Sequence, residues 1–277
     1  MTGDARTCLA RPDLADERLQ GLVRAQRFAA TRAMICAQST AGILKAPDAA
    51  AEQQDELLFG EGFEVLETRD GWAWGQAARD GYVGYVRTGL LAPAGEAPTH
   101  RVAALSTAGF GRPNLKSQVL ALLSINSLVR AGDAKDAFVD CGTAGWIHAA
   151  HLQPIGQFES DWVAVAERFL GAPYLWGGRS NRGLDCSGLV QMGMQAVGRA
   201  CPRDTDQQFA AFAEGPDRQG LRRGDLAFWR GHVGILLDDQ RLLHANAHHM
   251  AVAIEPLEGA LVRIEKAGVA FLGYRRA

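Results

Sequence analysis

Apolar positions fall along the chain in three regimes. Over residues 1–30, Leu14, Leu19, Leu22 and Val23 recur at an amphipathic helical spacing among polar neighbours, which predicts a helical N-terminal extension. Over 31–95 the pattern breaks into short apolar segments such as Met34-Ile35, Leu57-Leu58-Phe59 and the runs 63–66, 72–74 and 82–86, punctuated by Asp70-Gly71 and Asp80-Gly81. Aspartate-glycine pairs between such runs are hairpin signals, and a small all-β barrel is predicted. A Pro/Ala/Gly linker at 92–98 opens a second set of short strands over 96–157, in which Gly145-Trp146-Ile147 echoes Gly84-Tyr85-Val86. The third regime, 158–277, begins at Ser160 and Asp161 with a helical pattern (Trp162, Val165, Phe169, Leu170) stopped by Gly171 and Pro173. A second helical face (Leu189, Val190, Gly193, Met194, Val197) ends at Gly198, and strand-like runs follow at 223–229, 232–237 and 241–245.

With 277 residues, 47% of them hydrophobic, the chain supplies core for two or three modules. The 29 basic and 31 acidic residues nearly cancel without a run of like charge, so neither a nucleic-acid footprint nor a polybasic membrane patch is expected. The first twenty residues carry Asp4, Asp13, Asp16 and Glu17 and no apolar stretch of the length an export signal needs, and the apolar run at 119–123 is too short to cross a bilayer. Five scattered cysteines without a CxxC pair argue against a disulfide framework or a zinc ribbon. A cytoplasmic protein is the simplest expectation.

The chemistry gathers in the third regime. Cys186, in Leu184-Asp185-Cys186-Ser187-Gly188, stands at the start of a predicted helix. There the unpaired N–H groups and the positive end of the helix dipole favour thiolate over thiol and offer donors to an oxyanion. A base is needed as well. If the loop Asp238-Asp239-Gln240 has three residues, Leu237 pairs with Arg241, and His232 then lies diagonal to His244 on one face of a hairpin. In that register His244 holds His232 in its working tautomer; a slip of one residue separates them.

Tyr174-Leu175-Trp176-Gly177-Gly178, Asp185-Cys186-Ser187-Gly188, Gly224-Asp225-Leu226, His232-Val233-Gly234-Ile235 and His244-Ala245, in this order, resemble the motifs of the NlpC/P60 cysteine peptidases. The resemblance implies an α+β fold, a papain-like catalytic domain over 158–277 preceded by two small all-β SH3-like barrels. It also implies Cys186 as nucleophile, His232 as base, His244 as its orienting partner and Tyr174 as a donor to the oxyanion. The branch with leading SH3-like domains, the γ-D-glutamyl-L-diamino acid endopeptidases, is the most similar. By that resemblance Asp185, Ser187 and Arg203 join the substrate site, and Glu52 and Tyr82 of the first β module bind a free N-terminal amine, with Glu56, Trp72 and Tyr85 as alternative occupants of these roles. The expected partner is a small murein peptide, L-Ala-γ-D-Glu-diamino acid, handled in the cytoplasm without cofactor or metal. An exported endopeptidase acting on intact wall and a non-catalytic wall-binding protein are the alternatives.

Other residues receive plainer expectations. Cys8, Cys36, Cys141 and Cys201 read as small buried hydrophobes, and His100, His148, His151, His248 and His249 as surface or loop residues. His244 and His248 have the spacing of a helical metal pair but lie on a strand-like segment. Trp72, Trp74 and Trp146 read as barrel core. Gly177-Gly178 lacks the Lys-Ser/Thr of a phosphate loop.

Overall fold

The computed structural model describes residues 4–277 and divides in sequence, between Ile155 and Gly156, into two compact units. All the β-rich sequence ahead of that point belongs to the first. Its larger sheet has seven strands in the order Gln53–Leu58, Thr40–Leu44, Val83–Arg87, Trp72–Ala77, Gly62–Arg69, Arg32–Cys36, Leu91–Pro93. Asp70 and Gly71, at φ 50° and 79°, make the tight turn between Gly62–Arg69 and Trp72–Ala77. Positive φ at both central residues is what a two-residue hairpin demands, and Asp-Gly supplies it at little cost.

One face of this sheet packs Cys36, Ala41, Ile43, Phe63, Val65, Ala73 and Val86 together. Because successive side chains alternate, Trp72 and Trp74 lie on the opposite face from Ala73, away from that cluster but buried as core residues. Trp74 sits against Leu9 and Leu14, with the Arg11 guanidinium 4.0 Å from its ring, and Arg87 stacks 4.0 Å over Trp72.

The N-terminal segment that supplies Leu9 and Leu14 is not the predicted helix. Leu14–Asp16 pairs in parallel with Arg27–Ala29 around a single 3-10 turn, Glu17–Leu19, capped by Asp16. Pro12 and Gly21 (φ 81°) bracket too few residues for a helix to propagate, and Leu22, one of the four periodic positions, is 67% exposed.

The second β module forms two further sheets, of three strands (Leu128–Val129, His100–Val102, Leu152–Pro154) and of five (Val119–Ser124, Ser106–Phe110, Trp146–His148, Phe138–Asp140, Ala134–Lys135). Its core of Val102, Leu123, Val129, Cys141, Ala144 and Ile147 also takes in Phe59 from the first module. Gly60 makes this entry possible: at φ 76°, a Cβ there would lie 2.1 Å from the Leu128 carbonyl oxygen.

In the second unit Asp161 caps the helix Trp162–Glu167, accepting the N–H groups of Val163 and Ala164. The helix Cys186–Ala196 is buried along its whole length. A six-stranded antiparallel sheet runs in the order Ala213–Glu214, Phe271–Arg276, Asp225–Trp229, His232–Leu236, Arg241–Asn246, Ala251–Pro256. One face, with Ala227, Trp229, Leu236 and Leu242, lies under the helix Leu257–Lys266 through Leu257, Ala260 and Ile264. The helix Cys186–Ala196 packs against the strands His232–Leu236 and Arg241–Asn246, so the central strands are covered on both sides and read as continuous apolar runs. Among the described residues no helix is long and apolar enough to cross a membrane.

Candidate active site

Cys186 occupies the first position of its helix, immediately after the cap, Asp185. Gly188 is required one turn in: a Cβ there would come 2.5 Å from the Gly178 carbonyl oxygen, so the helix start and the Gly177-Gly178 turn can approach only without a side chain.

Asp185 organises this corner. Its Oδ1 accepts from Gly188 N–H (2.7 Å), Ser187 Oγ–H (3.2 Å) and Arg203 Nη1–H (3.0 Å). Its Oδ2 accepts from Gly177 N–H (2.9 Å) and Arg203 Nη2–H (2.7 Å). Arg203, 1% exposed, also donates to Ser187 Oγ (3.0 Å), and Gln208 Nε2 holds the Ser187 carbonyl (3.0 Å). The three residues expected to bind substrate are therefore together, but the Asp185 carboxylate is already neutralised by a bidentate guanidinium and accepts five hydrogen bonds. This arrangement orients the nucleophile's turn.

The base lies on the neighbouring hairpin. Leu237 N–H donates to Arg241 O at 2.9 Å, and Ile235 and Leu236 pair with Leu243 and Leu242, the register of a three-residue loop. His232 Nε2 consequently stands 2.8 Å from His244 Nδ1. The Cys186 sulfur receives the backbone N–H of Val233, the residue after His232, which brings the nucleophile to the head of the base's strand.

Burial sets the resting protonation. It pushes the Cys186 thiol up to about 12, reinforced by the Asp185 carboxylate and opposed by the Val233 and Ser187 N–H groups and by Arg203. It lowers His232 to about 3, with the adjacent His244 acting in the same direction. Desolvation thus opposes the helix N-terminus, which favours thiolate, and draws both groups toward their neutral forms. Attack then requires transfer of the thiol proton to His232, general-base catalysis of the kind a Cys–His pair performs.

Tyr174 is half-buried beside Cys186 and Asp185, and burial raises its phenol above the usual value. It stays protonated and able to donate to a developing oxyanion. Cys36 and Cys141, packed in the two β cores, are likewise pushed up to about 12 by burial and are unreactive.

Glu52 and Tyr82 belong to the first unit. Glu52 precedes the strand Gln53–Leu58 and pairs with Lys45 at 3.5 Å. Tyr82 is 2% exposed, its ring packed in the core with Ile43, Phe63 and Val86. Of the alternatives, Glu56 is buried, Trp72 lies under Arg87, and Tyr85 accepts from Arg11 at 3.2 Å.

One residue of the site went unrecognised in the sequence. Glu255 Oε1 lies 2.7 Å from His244 Nε2, on the side of the ring away from His232, and is ion-paired with Arg263. The pairing of His244 with Ala253 across the next hairpin is the signal that could have found it. His244, His249 and Glu255 bring ligand-type atoms within 4.8 Å of one another. Both ring nitrogens of His244 are engaged, however, and a cation would have to displace the Arg263 guanidinium from Glu255.

A cysteine at a helix start, a histidine on an adjoining antiparallel sheet and a second histidine behind it define a cysteine peptidase of papain-like architecture. Residues 171–268 match the model of the NlpC/P60 family, and residues 43–91 that of the bacterial dipeptidyl-peptidase Sh3 domain. The chain therefore carries an NlpC/P60 cysteine peptidase domain preceded by a bacterial dipeptidyl-peptidase SH3 domain.

Among curated relatives, the gamma-D-glutamyl-L-lysine dipeptidyl-peptidase of Bacillus subtilis is 28% identical over 69% of this chain and 72% of its own length. Dipeptidyl-peptidase 6 of Lysinibacillus sphaericus is 32% identical over 41% of this chain and 43% of its own, and a probable endopeptidase of Mycobacterium tuberculosis is 34% identical over 47% and 34%. Of solved structures, an NlpC/P60 family protein from Bacillus cereus shares the fold at a TM-score of 0.76 and 19% identity, covering 88% of this chain and 99% of that one.

Proposed function

We propose that the protein hydrolyses short peptides derived from bacterial cell wall, cutting between a γ-D-glutamyl residue and the diamino acid that follows. The observation that carries this reading is the pairing of the Cys186–His232–His244 constellation with an SH3 domain of the dipeptidyl-peptidase type in one chain. The names of the Bacillus and Lysinibacillus relatives support the bond assignment. The Cys186 sulfur attacks the γ-D-glutamyl carbonyl while His232 takes the thiol proton and then passes it to the leaving amine. Water, deprotonated by the same imidazole, then releases L-Ala-γ-D-Glu.

A free N-terminal amine on the L-Ala is the proposed requirement that confines the enzyme to loose peptides, and recycling of such peptides in the cytoplasm is the proposed setting. The test is turnover of L-Ala-γ-D-Glu-diamino acid tripeptide against its N-acetylated form, with products identified by mass spectrometry. Cleavage of the free form alone is expected. Equal rates would remove the amine requirement, and no cleavage of either would remove the bond assignment.

A second reading, an endopeptidase acting on intact wall, is favoured by the 34% identity to the probable endopeptidase of Mycobacterium tuberculosis. Release of peptides from purified sacculi, with recovery of the protein outside the cytoplasmic fraction, would establish it instead.

A further inference from the structure

The sheet face beneath the helix Leu257–Lys266 carries a line of polar groups leading away from the base. Strand Ala251–Pro256 pairs Leu242 with Glu255 and His244 with Ala253, so Glu255 stands diagonal to His244 on the face of Leu242. The helix that covers this face supplies Arg263, which ion-pairs with Glu255. Facing the His244 ring are therefore His232 on one side and Glu255 with Arg263 behind it on the other, while His249 approaches from the loop after Asn246.

His244 is fully buried, so each ring nitrogen needs a partner. An ionised carboxylate only accepts, and Glu255 is held below the usual carboxylate range by its bond from His244. The hydrogen between them therefore belongs to His244 Nε2. A neutral imidazole has a single N–H, which leaves His244 Nδ1 as a lone pair accepting from His232 Nε2–H across 2.8 Å. His232 in turn has its lone pair on Nδ1.

We propose that Glu255, clamped by Arg263, is a positioning residue that fixes this tautomer through His244 and so assigns His232 Nδ1 as the atom that receives the Cys186 proton. In the attack the S–H bond breaks as the sulfur–carbon bond forms, and the proton moves to His232 Nδ1. The His232 Nε2–H stays on its ring, still donating to His244, and no proton has to leave His244 or Glu255. Without the carboxylate, His244 is free to carry its hydrogen on Nδ1 and donate it to His232 Nε2. The His232 proton then sits on Nδ1, and the base is disabled.

The kinetic part of the test rests on the peptidase reading; the spectroscopic part needs no turnover, so the two can fail separately. In full-length Cys186→Ala protein labelled with 15N-histidine, long-range 1H–15N correlation is expected to show both His232 and His244 protonated at Nε2. Adding Glu255→Ala should move the His244 hydrogen to Nδ1, whereas Glu255→Gln, whose oxygen Arg263 still holds toward the ring, should keep the original pattern.

In the active enzyme Glu255→Ala is expected to lower kcat about 100-fold, the low end of what a general base contributes, with little change in KM, and Glu255→Gln to recover most of the loss. Should Glu255→Ala fail to fold, Glu255→Gln with Arg263→Met frees the amide to turn its NH2 toward His244 and should reproduce the defect. His232 protonated at Nδ1 in Cys186→Ala, or a Glu255→Ala enzyme within two-fold of the parent kcat with its tautomers unchanged, overturns the proposal.

Discussion

Replacing Arg203 by Ala isolates the contribution of the buried ion pair beneath the nucleophile. Asp185 and Arg203 are 6% and 1% exposed, and the guanidinium makes two of the five hydrogen bonds that the carboxylate accepts. Its loss leaves a charge in the interior with three neutral donors and no counter-ion. Stranding one member of a buried pair costs about 3–5 kcal/mol. For a unit of this size that corresponds to a fall in Tm of roughly 10–20 °C.

Arg203 also helps lower the Cys186 thiol, so any folded fraction should lose kcat as well. The matching variant is Asp185→Asn with Arg203→Met, which removes both charges while keeping a helix cap. If stranded charge is the cause, the double variant should be less damaged than the sum of the singles by about 1–3 kcal/mol. Calorimetric unfolding of the full chain reads both quantities. A Tm loss below about 3 °C for Arg203→Ala, on the same size scaling, or strict additivity in the cycle would refute the reasoning.

Four further outcomes follow from the geometry. His232 is lowered to about 3 and Cys186 raised to about 12, so kcat/KM should hold its plateau well below pH 6.5, with the acid limb following the depressed imidazole; a limb centred near 6.5 would contradict this. For the same reason the unfolded chain takes up protons that the folded one refuses as pH falls from 6.5 toward 3, and stability measured by thermal unfolding should decline through that window. Gly188→Ala pushes a methyl into the Gly178 carbonyl oxygen and should cost about 1–3 kcal/mol together with a loss of kcat, both visible in the purified variant. Tyr174→Phe should lower kcat about 100-fold at nearly constant KM if the hydroxyl serves the oxyanion, and an unchanged kcat would leave the ring a packing role alone.

The parts of the site that are local in sequence were legible there. Asp185-Cys186-Ser187-Gly188 writes out a helix start with its cap, and Asp238-Asp239-Gln240 sets the register that brings His232 to His244. Asp70-Gly71 likewise marks its own turn. What depends on a third element was harder to read. Arg203 entered only through the family resemblance, and Glu255 was missed because its approach to His244 depends on the register of a further hairpin. At the thiol, the helix dipole is visible in sequence and the opposing desolvation is not. The N-terminal segment misled through periodicity without length, since its leucines recur at helical spacing while Pro12 and Gly21 leave room for only about two turns, too few for a helix to hold.

The insertion of Phe59 into the core around Leu123 and Ile147, with Gly60 passing against Leu128, bears on how the chain can be shortened. The proline-rich stretch at 92–98 invites a cut, yet a fragment ending there would present a bare phenylalanine to solvent and leave its neighbour with an empty socket. Engineers wishing to graft or delete the leading region should treat residues up to Ile155 as a single exchangeable cassette.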